Sequence, residues 1–241
     1  MDQCYPVDDR PDPNIPRVNE LISWGSHDVS NFDSIYDLLS ERLKRDIHAK
    51  NVNRTSVGMQ IYESMISQVK EIQSKVSLIL VEHTILIIKK QTPPFLNIAD
   101  KAAPYIIKYS REIQLQNNVT NIIKQYLQLI KDPKVSSRVY ESLSNIIQQT
   151  PIQSLPVKEI LLSIKNELNT SEEARSIIIA MGQSINQVTT LPAFLDVLFN
   201  FFTENKIWSN PEIVGIVMKT LVNEMKDKLS QPFFKLWIQK L

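Results

Sequence analysis

The stretch that decides the fold runs from Val119 to Ile147 and reads VTNIIKQYLQLIKDPKVSSRVYESLSNII. On each side of its Asp132-Pro133 pair, apolar residues recur at spacings of three, four and seven, which is the period of an α-helix. The first stripe contains Val119, Ile122, Ile123, Tyr126, Leu127 and Ile130, and the second contains Val135, Val139, Leu143, Ile146 and Ile147. The stretch therefore predicts two amphipathic helices joined by a short turn.

The same pattern extends over most of the chain. Helix-breaking residues recur at intervals of about 20 residues, and no stretch alternates polar and apolar residues as a strand does. We expect about eleven helices of roughly 12 to 19 residues, with short loops that make neighbours antiparallel. Two helices per roughly 40 residues is the period of HEAT and armadillo repeats. The prediction is an all-α fold, an α-solenoid of antiparallel helical hairpins, with a compact helical bundle as the alternative.

Helix starts and domain limits follow from polar caps and prolines. The predicted N-caps are Ser30, Thr55 and Thr170, and the prolines predicted in first helical turns are Pro133, Pro192, Pro211 and Pro232. Residues 1–16 hold four of the thirteen prolines and four aspartates, so we expect an extended, acidic, proline-rich arm there. Residues 17–241 are predicted to form a single helical-repeat domain.

Composition excludes several classes of function. The chain has 241 residues with 27 basic and 26 acidic side chains, and a net charge of +1 argues against bulk attraction to nucleic acid or anionic lipid. Cys4 is the only cysteine, which rules out an internal disulfide and indicates a reducing, intracellular compartment. Four glycines cannot assemble a phosphate-binding loop. The most apolar run, residues 76–88, is shorter than the roughly 20 residues that a membrane span needs.

No catalytic pattern is present in the sequence. His27, His48 and His83 lie in three different predicted segments, without cysteine, aspartate or glutamate at the spacing of metal ligands. Cys4 has no basic neighbour that would lower the pKa of its thiol. We therefore expect no metal, no cofactor, no small-molecule substrate and no enzymatic activity.

A run of cations is the main electrostatic feature. It consists of Arg42, Lys44, Arg45, Lys50 and Arg54, and only Asp46 interrupts it. Cations near a helix C-terminus are favourable by themselves, so one interpretation is a solvated face. The other is a contact for an acidic peptide or an RNA backbone. No aromatic residue lies within the run, so stacking on nucleic-acid bases is not supported.

The last predicted helix is apolar. Phe233, Trp237 and Leu241 share one stripe, and Phe234 and Ile238 lie beside it. Helical repeats usually end on a polar face. We therefore expect this helix to fold back, to dock onto a partner, or to come from a longer chain, and its predicted partner-binding residues are Phe233, Phe234, Trp237 and Leu241.

Two local patterns resemble known families. Residues 132–139, Asp-Pro-Lys-Val-Ser-Ser-Arg-Val, are similar to the opening of many HEAT repeats. Residues about 143–241 resemble the C-terminal helical region of symplekin, through Gln149-Thr150-Pro151 and the Lys-x-Trp-x-x-Pro pattern of residues 206–211. Relative to symplekin the chain has some 25 extra residues around 165–188, and it lacks an aromatic shortly after Pro211. The resemblance implies a non-catalytic nuclear scaffold that holds subunits for pre-mRNA 3′-end processing.

These observations favour a protein-interaction scaffold, an adaptor subunit of a larger intracellular complex whose partners are other proteins. The alternative is an RNA- or nucleic-acid-binding helical repeat protein centred on Arg42 to Arg54. A third hypothesis, a helical enzyme, would need a pocket that holds a histidine beside a carboxylate.

Overall fold

The computed structural model describes residues 2–8, 10–225 and 227–240. This part of the chain consists of helices and the turns between them, with no β-strand, which confirms the predicted all-α class. The chain forms two compact units, Met1–Gln125 and Tyr126–Leu241, and each is described by itself. The single domain over residues 17–241 stays a prediction. Within the described ranges, no helix is long and apolar enough to cross a membrane.

The first unit is built from long helices and short turns. It contains α1 (Ile15–His27), α2 (Asn31–His48), α3 (Val52–Gln68), α4 (Gln73–Ile88), α5 (Pro93–Tyr109) and the start of α6 (Glu112–Leu129). Helix α1 begins inside the segment predicted as an extended arm, because Pro16 fits the first helical turn, where no N–H is needed. The turns after α2 and α4 fall at Asn51 and just before Pro93.

Helices α2 and α4 run parallel in the first unit, and two polar contacts define their register. The Lys75 ammonium lies 2.5 Å from the Asp33 carboxylate, and His83 Nε2 lies 3.3 Å from the Ser40 hydroxyl. Both contacts join α2 to α4, at sequence separations of 42 and 43 residues. Similar contacts join α1 to α3 and α4 to α6, at separations of 49 and 40. Helices α1, α2 and α3 therefore each pack beside the helix two places along the chain.

A buried polar group lies where α2, α3 and α4 meet. The Tyr62 hydroxyl contacts the Ser40 hydroxyl at 2.7 Å and donates to the Tyr36 carbonyl at 3.3 Å. The fully buried His83 ring stacks on Tyr62, with 5.8 Å between ring centres. His83 Nδ1 has no hydrogen-bond partner. Burial, with a smaller contribution from Lys44, lowers the pKa of His83 to about 4, so the ring is neutral at pH 7.

The second unit repeats this construction with shorter helices. It contains α7 (Ser136–Gln149), α8 (Val157–Ile164), α9 (Glu172–Ser184), α10 (Leu191–Glu204), α11 (Pro211–Glu224) and α12 (Asp227–Lys240). The Gln148 amide donates to the Gln183 side chain at 2.8 Å, which joins α7 to α9. The Gln183 amide in turn donates to the Glu224 carboxylate of α11 at 2.9 Å. These contacts join residues 35 and 41 apart, so alternate helices lie side by side here too.

Helix α10 is covered on both sides, as its two apolar faces predict. The buried side chains are Leu191, Phe194, Leu195, Leu198, Phe199, Phe201 and Phe202. The Trp208 ring packs beside Phe199 and Phe202, at 5.6 and 5.3 Å between ring centres. These aromatic residues form the core of the second unit, and Phe201 also lines a small groove of about 150 Å³ together with Leu162 and Val197.

Acidification is expected to act on the first unit through two groups with opposite effects. His83 is protonated near pH 4 when folded but near pH 6.5 when unfolded, so folding free energy is lost as the pH falls through this range, by about 3 kcal/mol in total. Burial raises the pKa of the half-buried Glu63 to about 7, against 4.5 when unfolded. Glu63 therefore favours the folded state as the pH falls.

We expect the E63Q variant to lose stability from about pH 7 to about pH 5 more steeply than the wild type. The H83L variant, which leaves the Ser40–Tyr62 contact in place, should instead gain stability over the same range. Urea unfolding followed by far-UV circular dichroism measures both slopes. Equal slopes in the three proteins would contradict the burial of these groups.

Candidate interaction surfaces

The ionisable groups that could carry chemistry do not converge. His27 and His48 are exposed, whereas His83 is buried among hydroxyl groups. In the part of the chain that the structure describes, no group of three or more histidine, cysteine, aspartate or glutamate residues could hold a metal ion. Cys4 is buried, and this burial raises the pKa of its thiol, which disfavours the nucleophilic thiolate.

A cavity of about 900 Å³ lies within the first residues of the chain. It is lined by Asp2, Gln3, Tyr5, Pro6, Val7, Asp8, Arg10, Asp12, Pro13, Asn14 and Arg17. The lining contains no histidine. The cavity therefore lacks a histidine beside a carboxylate, the arrangement that would favour a helical enzyme.

Arg42, the first member of the predicted basic run, holds the N-terminal segment, defined here as residues 2–8 and 10–14. Its guanidinium carbon lies 3.6 Å from the centre of the Tyr5 ring, and a guanidinium nitrogen pairs with the Asp2 carboxylate. Its Nε atom lies 4.0 Å from the Asp46 carboxylate. Only 15% of the Arg42 side chain is exposed. Two carboxylates and an aromatic ring therefore already contact Arg42. Its side chain is not part of a solvated face, which was one interpretation of the basic run.

A glycine in α3 allows the N-terminal segment to pack closely against this helix. Tyr5 is 5% exposed, and a Cβ atom at Gly58 would lie 3.0 Å from its hydroxyl and 2.9 Å from a Leu43 methyl group. Gly58 therefore permits an approach that a larger residue would block. The Gln60 amide also donates to the Pro11 carbonyl at 2.7 Å. The sequence did not indicate this contact, because no local pattern pairs residue 5 with residue 58.

The other four cations of the run are exposed. Lys44 and Arg45 lie near the C-terminus of α2, Lys50 lies in the following turn, and Arg54 lies in the first turn of α3. These side chains make no ion pair within the described residues. The structure therefore keeps them together as a charged surface without Arg42.

Two lysines that the sequence analysis missed join this surface. Lys89 and Lys90 follow α4, which runs parallel to α2, so the C-termini of both helices lie at the same end of the unit. We call the six cations at this end the basic end: Lys44, Arg45, Lys50, Arg54, Lys89 and Lys90. The two-helix period of roughly 40 residues is the sequence signal that could have found them, and the α2–α4 contacts show the corresponding separation of 42 residues.

The predicted partner-binding residues of α12 fall into different environments. Phe233 is fully buried, whereas Phe234 and Ile238 are 48% and 56% exposed. Trp237 is half-buried, with an indole N–H that has no hydrogen-bond partner, and its ring packs edge-on against Phe234 at 5.8 Å. Leu241 lies outside the described residues. The exposed apolar surface of α12 is therefore formed by Phe234 and Ile238, with Phe233 in the core.

A shallow groove adjoins this surface. It has a volume of about 310 Å³ and is lined by Val222, Ser230, Gln231, Phe234 and Lys235. Val222 belongs to α11 and the others to α12, so the groove runs along the junction of these helices. Apolar grooves of this kind are typical of contacts with a protein partner.

Loss of the Arg42 side chain is expected to release the N-terminal segment. In the R42A variant, the Tyr5 ring loses its cation and Asp2 loses its ion pair, so the hydrogen bond from the Asn14 N–H to the Cys4 carbonyl should open more often. Hydrogen–deuterium exchange should become about tenfold faster in this segment. The R45A variant removes an exposed cation of the same helix and serves as the control. Equal exchange in the two variants would show that Arg42 does not hold the segment.

Phe233 and Phe234 are expected to differ in what they contribute to stability. The F233A variant should lower the free energy of unfolding by about 3 kcal/mol or more, because it leaves a cavity in the core. The F234A variant should change it by less than about 1 kcal/mol, because that ring is half exposed. Urea unfolding of the two variants tests this difference, and a larger loss in F234A would reverse the assignment.

Comparison with known proteins assigns no family to the chain. Neither a protein-family model, nor a curated protein, nor a solved structure matches it. The function is therefore inferred from its residues and their contacts.

Proposed function

We propose that the protein is a non-catalytic interaction scaffold, an adaptor subunit of a larger complex whose partners are other proteins. The observation that carries this proposal is the pairing of alternate helices at separations of 32 to 49 residues, which sets successive turns side by side. A row of equivalent turns and helix faces offers a broad surface for other proteins. The lack of converging ionisable groups in the described ranges supports the same choice.

An α-solenoid arrangement within each unit is part of the proposal. The principal contacts between α-helices join helices one or two apart in the chain, as in α2 with α3 and α4, or α9 with α11. A compact bundle that closes on itself would also bring the first and last helices of a unit together. The observed pattern therefore favours a stack of helical hairpins over the bundle.

The setting that we propose is nuclear pre-mRNA 3′-end processing. This step depends on the resemblance of residues about 143–241 to symplekin, which implies a scaffold for processing subunits. The exposed side chains of Phe234 and Ile238 lie within that region, beside the groove between α11 and α12. We propose that a protein subunit covers them.

Affinity purification from the cells that produce the protein, followed by size-exclusion chromatography and mass spectrometry, tests this function. We expect the wild type to elute as a stoichiometric complex that contains 3′-end processing subunits. The F234S/I238S variant should lose at least one subunit, because it removes the exposed apolar surface of α12. The L162S/V188S variant is the matched control, since Leu162 and Val188 are 41% and 46% exposed in the same unit. Elution of the wild type without any stoichiometric protein partner would contradict the scaffold.

A further inference from the structure

We propose that the basic end of the first unit binds an acidic polypeptide segment. This inference rests on the proposed scaffold function and names the chemistry of one partner. The binding surface consists of the turn between α2 and α3 and the turn between α4 and α5, with the cations that flank them. The sequence places these turns about 40 residues apart, and the fold brings them to one end.

The two turns have the same construction. Lys50 and Gln91 each adopt left-handed backbone conformations, with φ of 57° and 56°, shortly after the ends of α2 and α4. Because α2 and α4 are parallel and packed together, the turns are separated by about 8–10 Å, the usual distance between packed helices. Their cations therefore form one surface that an extended chain of about ten residues can cover.

The charge of this surface is only partly compensated. Residues 47–62 and 83–99, which contain both turns, include no aspartate or glutamate. The carboxylate inside the basic run, Asp46, is buried next to Arg42. Asp46 pairs with Arg42 and also attracts Arg45 and Arg54, but none of the exposed cations forms an ion pair within the described residues. Glu41 and Glu82 are the nearest exposed acids in the sequence, and both lie further from the helix ends.

An acidic polypeptide fits this surface better than RNA does. Tyr62 and Phe95 are the only tyrosine, phenylalanine or tryptophan residues of the two acid-free stretches, and both are buried. The imidazole of His48 is exposed, but a single ring is not a platform for successive bases. The chain's own acidic N-terminal segment already lies on Arg42 through Asp2. This side of the unit therefore already binds one acidic segment of the chain. The neighbouring exposed cations are accessible to a second acidic segment from another polypeptide.

Fluorescence anisotropy with labelled probes tests this proposal. The probe is a synthetic peptide of about ten alternating aspartates and glutamates, long enough to span both turns. Its neutral counterpart has asparagine and glutamine at the same positions, and an oligouridylate of similar length represents RNA. The R54E/K89E variant reverses one cation in each turn. The K165E/K219E variant makes the same change of charge at exposed lysines of the second unit and is the control.

We expect the acidic peptide to bind the wild type and the control equally, and the R54E/K89E variant about tenfold more weakly, with affinity that falls as salt is added. Each single variant should give an intermediate loss, because both turns contribute. Three results would overturn the proposal: no binding of the acidic peptide to the wild type, an equal loss in the control, or tighter binding of the oligouridylate than of the peptide.

The complex purified from cells separates this inference from the scaffold function. If R54E/K89E retains every protein subunit of that complex, the acidic-segment site is wrong and the scaffold stands. If the wild type has no partner at all, the scaffold itself is wrong. Loss of one subunit in R54E/K89E, with the others retained, supports both.

Discussion

Within each unit, the helices bury their apolar stripes mainly against the helices one and two places along the chain. In the first unit α2 and α4 lie side by side, with Ser40 opposite His83. In the second unit α9 meets α11, and Gly182 allows the close approach of Leu221. Parallel packing at a fixed separation follows from this burial, and it determines which turns become neighbours. The surfaces of the molecule are therefore consequences of the way the core is stacked.

Helical periodicity predicted the fold class and most helix limits because apolar spacing and prolines act locally. It was less accurate for individual caps. Asn51 accepts the hydrogen bond from the Arg54 N–H in place of the predicted Thr55 cap, and Ser171, not Thr170, caps α9. Pro192 and Pro211 lie in first turns as predicted, whereas Pro133 precedes α7 and Pro232 lies inside α12. The backbone geometry at each helix end determines which residue is the cap, and the sequence pattern locates that end only approximately.

The candidate surfaces were predicted in part, for the same reason. Exposure of four members of the basic run agrees with its polarity, but Arg42 is removed by a contact with Tyr5 across the unit. Lys89 and Lys90 were missed because their link to α2 exists only through the parallel packing of α4. On α12, two neighbouring phenylalanines share the same chemistry, and only packing distinguishes the buried Phe233 from the exposed Phe234. Local sequence predicts whether a surface is basic or apolar. Which residues belong to that surface depends on packing contacts between residues that are distant in sequence.

The cations of the basic run lie in two different environments: Arg42 is mostly buried and paired with carboxylates, whereas its neighbours are exposed. Arg42 is placed between Asp2 and Asp46, so its charge is compensated within the unit and stabilises the packing of the N-terminal segment. Of the six cations of the basic end, five lie at or near the C-termini of α2 and α4, whose partial negative charge favours them, whereas Arg54 lies in the first turn of α3. That stabilisation needs no carboxylate partner, so the cations can stay exposed without an ion pair. A surface maintained in this way keeps its charge available for binding, whereas a surface of paired charges would first have to break its own contacts.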